Sequence, residues 1–145
     1  MDTDSIIQII AIIILLVMSA FFSSAETAYM TVNKIKIRSL VGKGNKRAAI
    51  VDKIINNSSK MLSTILIGNN IVNLSASTIL TTLVIHLFGN YATGIATGIM
   101  TILVLIFGEI SPKNAATVHA DKIALAYAPV INLLMYLFTP IIFIV

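Results

Sequence analysis

The chain has 145 residues, 57% of them hydrophobic and 11% charged, with a formal net charge of +4 and no cysteine. A soluble domain carries about 25% charged residues and, at this size, cannot hide so much apolar surface in its own core. One compact bilayer-embedded domain accounts for the excess, and the missing cysteines exclude disulfides, thiolate metal sites and cysteine nucleophiles.

The first apolar run covers residues 5–30. A secretory signal opens with positive charge and has a shorter apolar core. Here the N-terminus reads Met1-Asp2-Thr3-Asp4, and the run is long enough to be retained as a span. Residues 34–60 then carry eight basic side chains (Lys34, Lys36, Arg38, Lys43, Lys46, Arg47, Lys53, Lys60) against one acid, Asp52. The segment lies between apolar runs and lacks interleaved aromatics to stack on bases. It therefore reads as a cytoplasmic loop and not as a nucleic-acid surface. Gly42-Lys43-Gly44-Asn45 supplies a turn within it. After the turn, the i,i+4 pairs Ile50/Ile54 and Val51/Ile55 predict a short amphipathic helix with Arg47 and Lys53 toward the headgroups.

A second span is expected at 61–85, with Ser58 and Ser59 placed to cap it. An uncharged turn at 86–91 contains Gly89-Asn90, and a third span follows at 92–110. Lys113 and Lys122 come after it, so three crossings with the N-terminus outside and the basic loop cytoplasmic satisfy the positive-inside bias. The fourth run, 121–145, is broken by Pro129 and Pro140. Hydropathy leaves open whether it crosses as a kinked helix or lies along the inner face. It ends at Val145 without a polar flank, and the expectation is a chain cut from a longer one.

One polar cluster interrupts each of the three spans. In the first, Ser23, Glu26 and Thr27 share a helical face. Back-bonding to the helix and a headgroup-level Glu26 form the bland reading of that cluster. In the second, Asn69 and Asn73 lie one turn apart, with Asn70 turned by about 100°. Such amides are costly in lipid and serve either a site or a helix interface. In the third, Phe107-Gly108-Glu109-Ile110-Ser111-Pro112-Lys113, Pro112 has no N–H for the Gly108 carbonyl, and Glu109 stands beside that oxygen. An i,i+4 bridge from Glu109 to Lys113 is the competing reading. Hydroxyl, amide, carbonyl and carboxylate oxygens suit Mg2+, Ca2+ or Na+, whereas His86 and His119 fall outside the expected spans. A serine hydrolase would need a base that the spans lack, so no enzymatic role is expected. Gly94 and Gly98 form a GxxxG, a weak signal for close helix packing.

At these clusters the sequence resembles the transmembrane module of the CNNM/CorC proteins. The resemblance is carried by Phe22-Ser23-Ser24-Ala25-Glu26-Thr27-Ala28, Ile67-Gly68-Asn69-Asn70-Ile71-Val72-Asn73 and residues 107–113, in order and similarly spaced. It implies an all-α homodimeric plasma-membrane Mg2+ transporter, exporting Mg2+ with Na+ as coupling ion. It also implies three spans and a juxtamembrane belt at 121–145 that leaves the C-terminus cytoplasmic. Regulatory CBS modules that bind ATP would follow downstream. The implied ion ligands are Ser23, Asn69, Asn73, the Gly108 carbonyl and Glu109, with Ser24, Glu26 and Asn70 in a second tier. A Mg2+-binding membrane scaffold that regulates another transporter is the alternative.

Overall fold

The computed structural model describes residues 3–89 and 93–144, and every regular element among them is helical. In chain order these are α1 (Thr3–Thr31), α2 (Lys34–Gly42), α3 (Lys46–Asn56), α4 (Ser58–Phe88) and α5 (Thr93–Leu105). A π-helical turn (Ile106–Ile110), α6 (Ser111–Val118), α7 (Ala120–Leu137) and α8 (Thr139–Ile144) complete the chain. The expected turn at 86–91 partly falls outside the described residues, as do the first residue of the expected third span and Val145. Four stretches are long and apolar enough to cross a bilayer: Thr3–Thr31, Ser58–Phe88, Thr93–Val118 and Ala120–Leu137. This is a multi-pass membrane protein.

The spans are longer than hydropathy placed them. At 1.5 Å per residue, the 31 residues of α4 reach about 46 Å, well beyond a hydrocarbon core of about 30 Å. His86, expected outside the span, is in the last turn of α4. Asn57, not Ser58 or Ser59, occupies the cap position of that helix, and its side chain makes no capping bond.

The basic segment is a helical hairpin. Asn33 caps α2 by accepting from the backbone N–H groups of Ile35 and Lys36, at 3.0 and 3.2 Å. Asn45 caps α3 by accepting from Ala48 N–H at 3.0 Å. Gly44, at φ +85°, makes the left-handed turn between them that a side chain would disfavour. The stripe that predicted α3 is buried at Val51 and Ile54, whereas the whole of α2 carried no recognised helical signal.

Small residues bring the hairpin-side ends of the helices together. Ala25 and Ala28 of α1 and Ala124 and Ala128 of α7 are fully buried, which lets the two backbones approach closely. α7 runs against α1 from its first turn: Asp121 accepts from Asn33 N–H at 3.0 Å, and Tyr29 donates to the Ala124 carbonyl at 2.8 Å. Past Pro129, the same helix borders a recess with Lys53, Asn57 and Lys60. Both ends of α7 therefore lie at the end of the bundle that carries the basic hairpin.

Candidate cation site

α1 and α4 pack antiparallel. Ile12 clusters with Leu80, Ser19 bonds Asn73, and Phe22 meets Gly68, so each step toward the hairpin on α1 is matched by a step back on α4. A Cβ at Gly68 would fall 2.5 Å from the Phe22 ring, which is why only glycine allows this approach.

This register assembles a chain of polar contacts across three elements. Ser19 Oγ donates to Asn73 Oδ1 at 3.0 Å, and Asn73 Nδ2 donates to Glu109 Oε1 at 3.4 Å. One turn nearer the hairpin on each helix, Ser23 and Asn69 fall at a common level. Ser23 Oγ and Asn69 Oδ1 are both buried and have no hydrogen-bond partner among the described residues. A buried polar oxygen left unmatched costs about 1–3 kcal/mol, so two at one level are conspicuous.

The π turn sets the third side. Pro112 cannot donate, and just before it Ser111 N–H reaches back five residues to the Ile106 carbonyl. Such widened turns recur at functional sites because they re-aim the residues they contain. Although Pro112 lacks an N–H, the helix is not interrupted here and continues into α6. Gly108 is buried against α1, where an added Cβ would stand 2.9 Å from Leu16 Cδ1 and 3.5 Å from Ser19 Oγ. Glu109, half-buried, is turned to Asn73, and no bridge to Lys113 forms.

A cavity of about 220 Å3 extends from Ser19, Asn73 and Glu109 between aliphatic walls that include Ile12, Leu16, Leu80 and Val104. It leads away from the hairpin. On the hairpin side, the Phe22 ring packs on Gly68. Among the described residues no three His, Cys, Asp or Glu gather, and Glu109 is the carboxylate that lines the cavity.

The chain matches the family described as the cyclin M transmembrane N-terminal domain over residues 10–145. It belongs to that family. A UPF0053 protein of Haemophilus influenzae is 41% identical over 133 residues, covering 92% of this chain and 32% of the relative. A UPF0053 inner membrane protein of Escherichia coli is 40% identical over 106 residues, covering 73% of this chain and 25% of the relative. A Haemophilus influenzae protein named polyamine export protein is 27% identical over 147 residues, 92% of this chain and 34% of its own length. The cyclin M domain seen here thus spans about a quarter to a third of these relatives.

Within this cyclin M domain the expected ligands separate into two groups. Asn73 and Glu109 are joined by a hydrogen bond; Ser23 and Asn69 are a turn away, and Gly108 lies against Ser19. Ser24 points elsewhere: its hydroxyl donates to the Phe21 carbonyl at 3.0 Å and lies 3.4 Å from the Tyr127 hydroxyl. Asn70 is exposed on another face of α4, and Glu26 hydrogen-bonds none of the described residues. Ser19 escaped the sequence reading although it stands one turn before Ser23. The spacing was available, but α1 offers no local cue that separates Ser19 from an ordinary back-bonding serine.

Proposed function

We propose that this domain moves Mg2+ across the membrane through the Ser19–Asn73–Glu109 site. In this reading it works as an exporter coupled to Na+, and Ser23, Asn69 and the Gly108 carbonyl complete the oxygen set. The observation that carries this is the pair of buried, unpartnered oxygens beside a carboxylate-bearing hydrogen-bond chain. An all-oxygen set suits a hard cation. One carboxylate neutralises Na+ fully and Mg2+ by half, so the same oxygens serve the two ions in turn. Mg2+ sheds water reluctantly and keeps part of its shell here. Entry breaks the Ser19–Asn73 bond, freeing both oxygens, and passage inward requires Phe22 to leave Gly68.

The orientation that accompanies this reading has the N-terminus outside, the basic hairpin and C-terminus cytoplasmic, and three spans in the plasma membrane. Support comes from the basic residues of the hairpin and from α7, whose two ends meet the same end of the bundle. The domain acts as a homodimer, with ATP-binding CBS modules following in the full-length protein. Flux in reconstituted liposomes tests the proposal: Glu109→Ala and Asn69→Ala abolish Mg2+ movement while the protein stays folded. Undiminished flux from both variants sinks the site. An empty liposome also separates transport from a scaffold that regulates another protein, because a scaffold moves nothing alone.

A second reading has its own support. The cavity beside Glu109 is mostly aliphatic, which suits the methylene chain of a linear polyamine with one ammonium on the carboxylate. The distant relative's name points the same way. Competition decides: millimolar polyamine that blocks Mg2+ flux and itself crosses favours the organic cation.

A further inference from the structure

A recess of about 540 Å3 lies apart from the cation site. Its walls come from the second half of α3 (Ile50, Lys53, Ile54), the corner into α4 (Asn57, Lys60) and α7 beyond Pro129 (Asn132, Leu133, Met135, Tyr136). Its volume is that of a ligand pocket.

We propose that this recess holds the headgroup of an anionic phospholipid from the hairpin-side leaflet, with Lys53 and Lys60 on its phosphate. No acidic residue lines the recess, and neither lysine pairs with a carboxylate among the described residues. Two uncompensated ammoniums at one opening call for an anion. The side-chain amide of Asn57 makes no capping bond and that of Asn132 makes no hydrogen bond among the described residues, which leaves both amides free to serve phosphate or glycerol oxygens. The rest of the lining is apolar. Leu133 and Tyr136 are 56% and 77% exposed, and their flank leads acyl chains out into lipid. A soluble phosphate compound would have no use for that flank. The level is right as well: the recess sits where the basic hairpin meets the start of α4, and a tyrosine at this depth is typical of the headgroup boundary. Such a lipid would tie α3 to the part of α7 beyond Pro129.

The test uses the full-length protein in nanodiscs, with phosphatidylglycerol titrated into phosphatidylcholine and bound lipid counted by native mass spectrometry. Wild-type protein retains phosphatidylglycerol preferentially. Lys53→Gln/Lys60→Gln weakens that retention about 25-fold, the factor that about 1 kcal/mol per lysine converts to. Lys53→Arg/Lys60→Arg keeps it, which separates lost charge from lost fold. Lys43→Gln/Lys46→Gln removes the same charge from the hairpin outside the recess and leaves retention unchanged. Equal loss in both glutamine pairs, no preference over phosphatidylcholine, or full displacement by millimolar inorganic phosphate would each overturn the proposal. Phosphatidylglycerol excluded because another segment or a second copy fills the recess would overturn it too.

Discussion

Ser19 Oγ and Asn73 Oδ1 meet at 3.0 Å across the α1–α4 interface, and this contact holds Asn73 in the orientation that reaches Glu109. Asn73 is thereby both acceptor and donor, the link through which one helix positions a carboxylate on another. Removing the hydroxyl disturbs both ends. Ser19→Ala leaves the amide oxygen without its donor, which destabilises the domain by about 1–2 kcal/mol. Under the proposed function it also weakens cation binding about tenfold, the loss of one oxygen worth about 1.4 kcal/mol. Thermal unfolding and liposome flux read the two effects, and Ser19→Thr should restore most of each.

Asn73→Asp replaces the amide donor with a second carboxylate next to Glu109. Like charges this close require a proton or a cation between them. Thermal stability of the variant should then depend on Mg2+, rising by several degrees at millimolar ion where wild-type protein responds less. A stability curve indifferent to Mg2+ would place the ion elsewhere.

The two buried glycines of the site differ in what they would strike. At Gly68 the obstacle is the Phe22 ring at 2.5 Å, and at Gly108 it is the flexible end of Leu16 at 2.9 Å. Gly68→Ala should destabilise by about 1–3 kcal/mol, the usual range for overpacking. Part of that loss returns with Phe22→Leu as partner. Gly108→Ala should fold with a loss under about 1 kcal/mol yet lower flux, because its new methyl lies 3.5 Å from Ser19 Oγ.

Tyr29 anchors α7 with a buried hydrogen bond to the Ala124 carbonyl at 2.8 Å. Tyr29→Phe leaves that oxygen to its helix alone and should cost about 1–2 kcal/mol. Faster hydrogen exchange confined to residues 120–128 and the facing end of α1 is the expected signature. By contrast, the pair of exposed Lys36 and half-buried Asp121 at 3.4 Å is worth less than about 1 kcal/mol, so Lys36→Gln should be nearly silent.

With no native cysteine, topology is open to single-cysteine labelling. Lys43→Cys, Lys122→Cys and Tyr136→Cys should all react with an impermeant maleimide from one side, and Leu87→Cys from the other. Labelling of positions 122 and 136 from opposite sides would make α7 a fourth span.

The fold class was legible because lipid imposes its own arithmetic. A span must be about 20 residues of apolar helix, and polar clusters inside such runs stand out against that background. The hairpin stripe at Val51 and Ile54 and the turn at Gly44 could be read in the same way. Helix α2 could not, because its only fully buried residue, Ile37, gives no periodicity to detect. The choice between Ser23 and Ser24 as α7-facing residue was equally hidden, since it depends on Tyr127, a hundred residues along the chain.

By itself, then, the sequence determined that this is a helical membrane domain with oxygen-rich clusters in its apolar runs, because bilayer thickness and helical rise leave few other arrangements for such a composition. Only the tertiary structure decided which of those oxygens meet. The register of α1 on α4 is fixed by Phe22 fitting a missing side chain at Gly68, and the π turn before Pro112 brings Glu109 to Asn73. Both are contacts between distant segments. No local pattern encodes them.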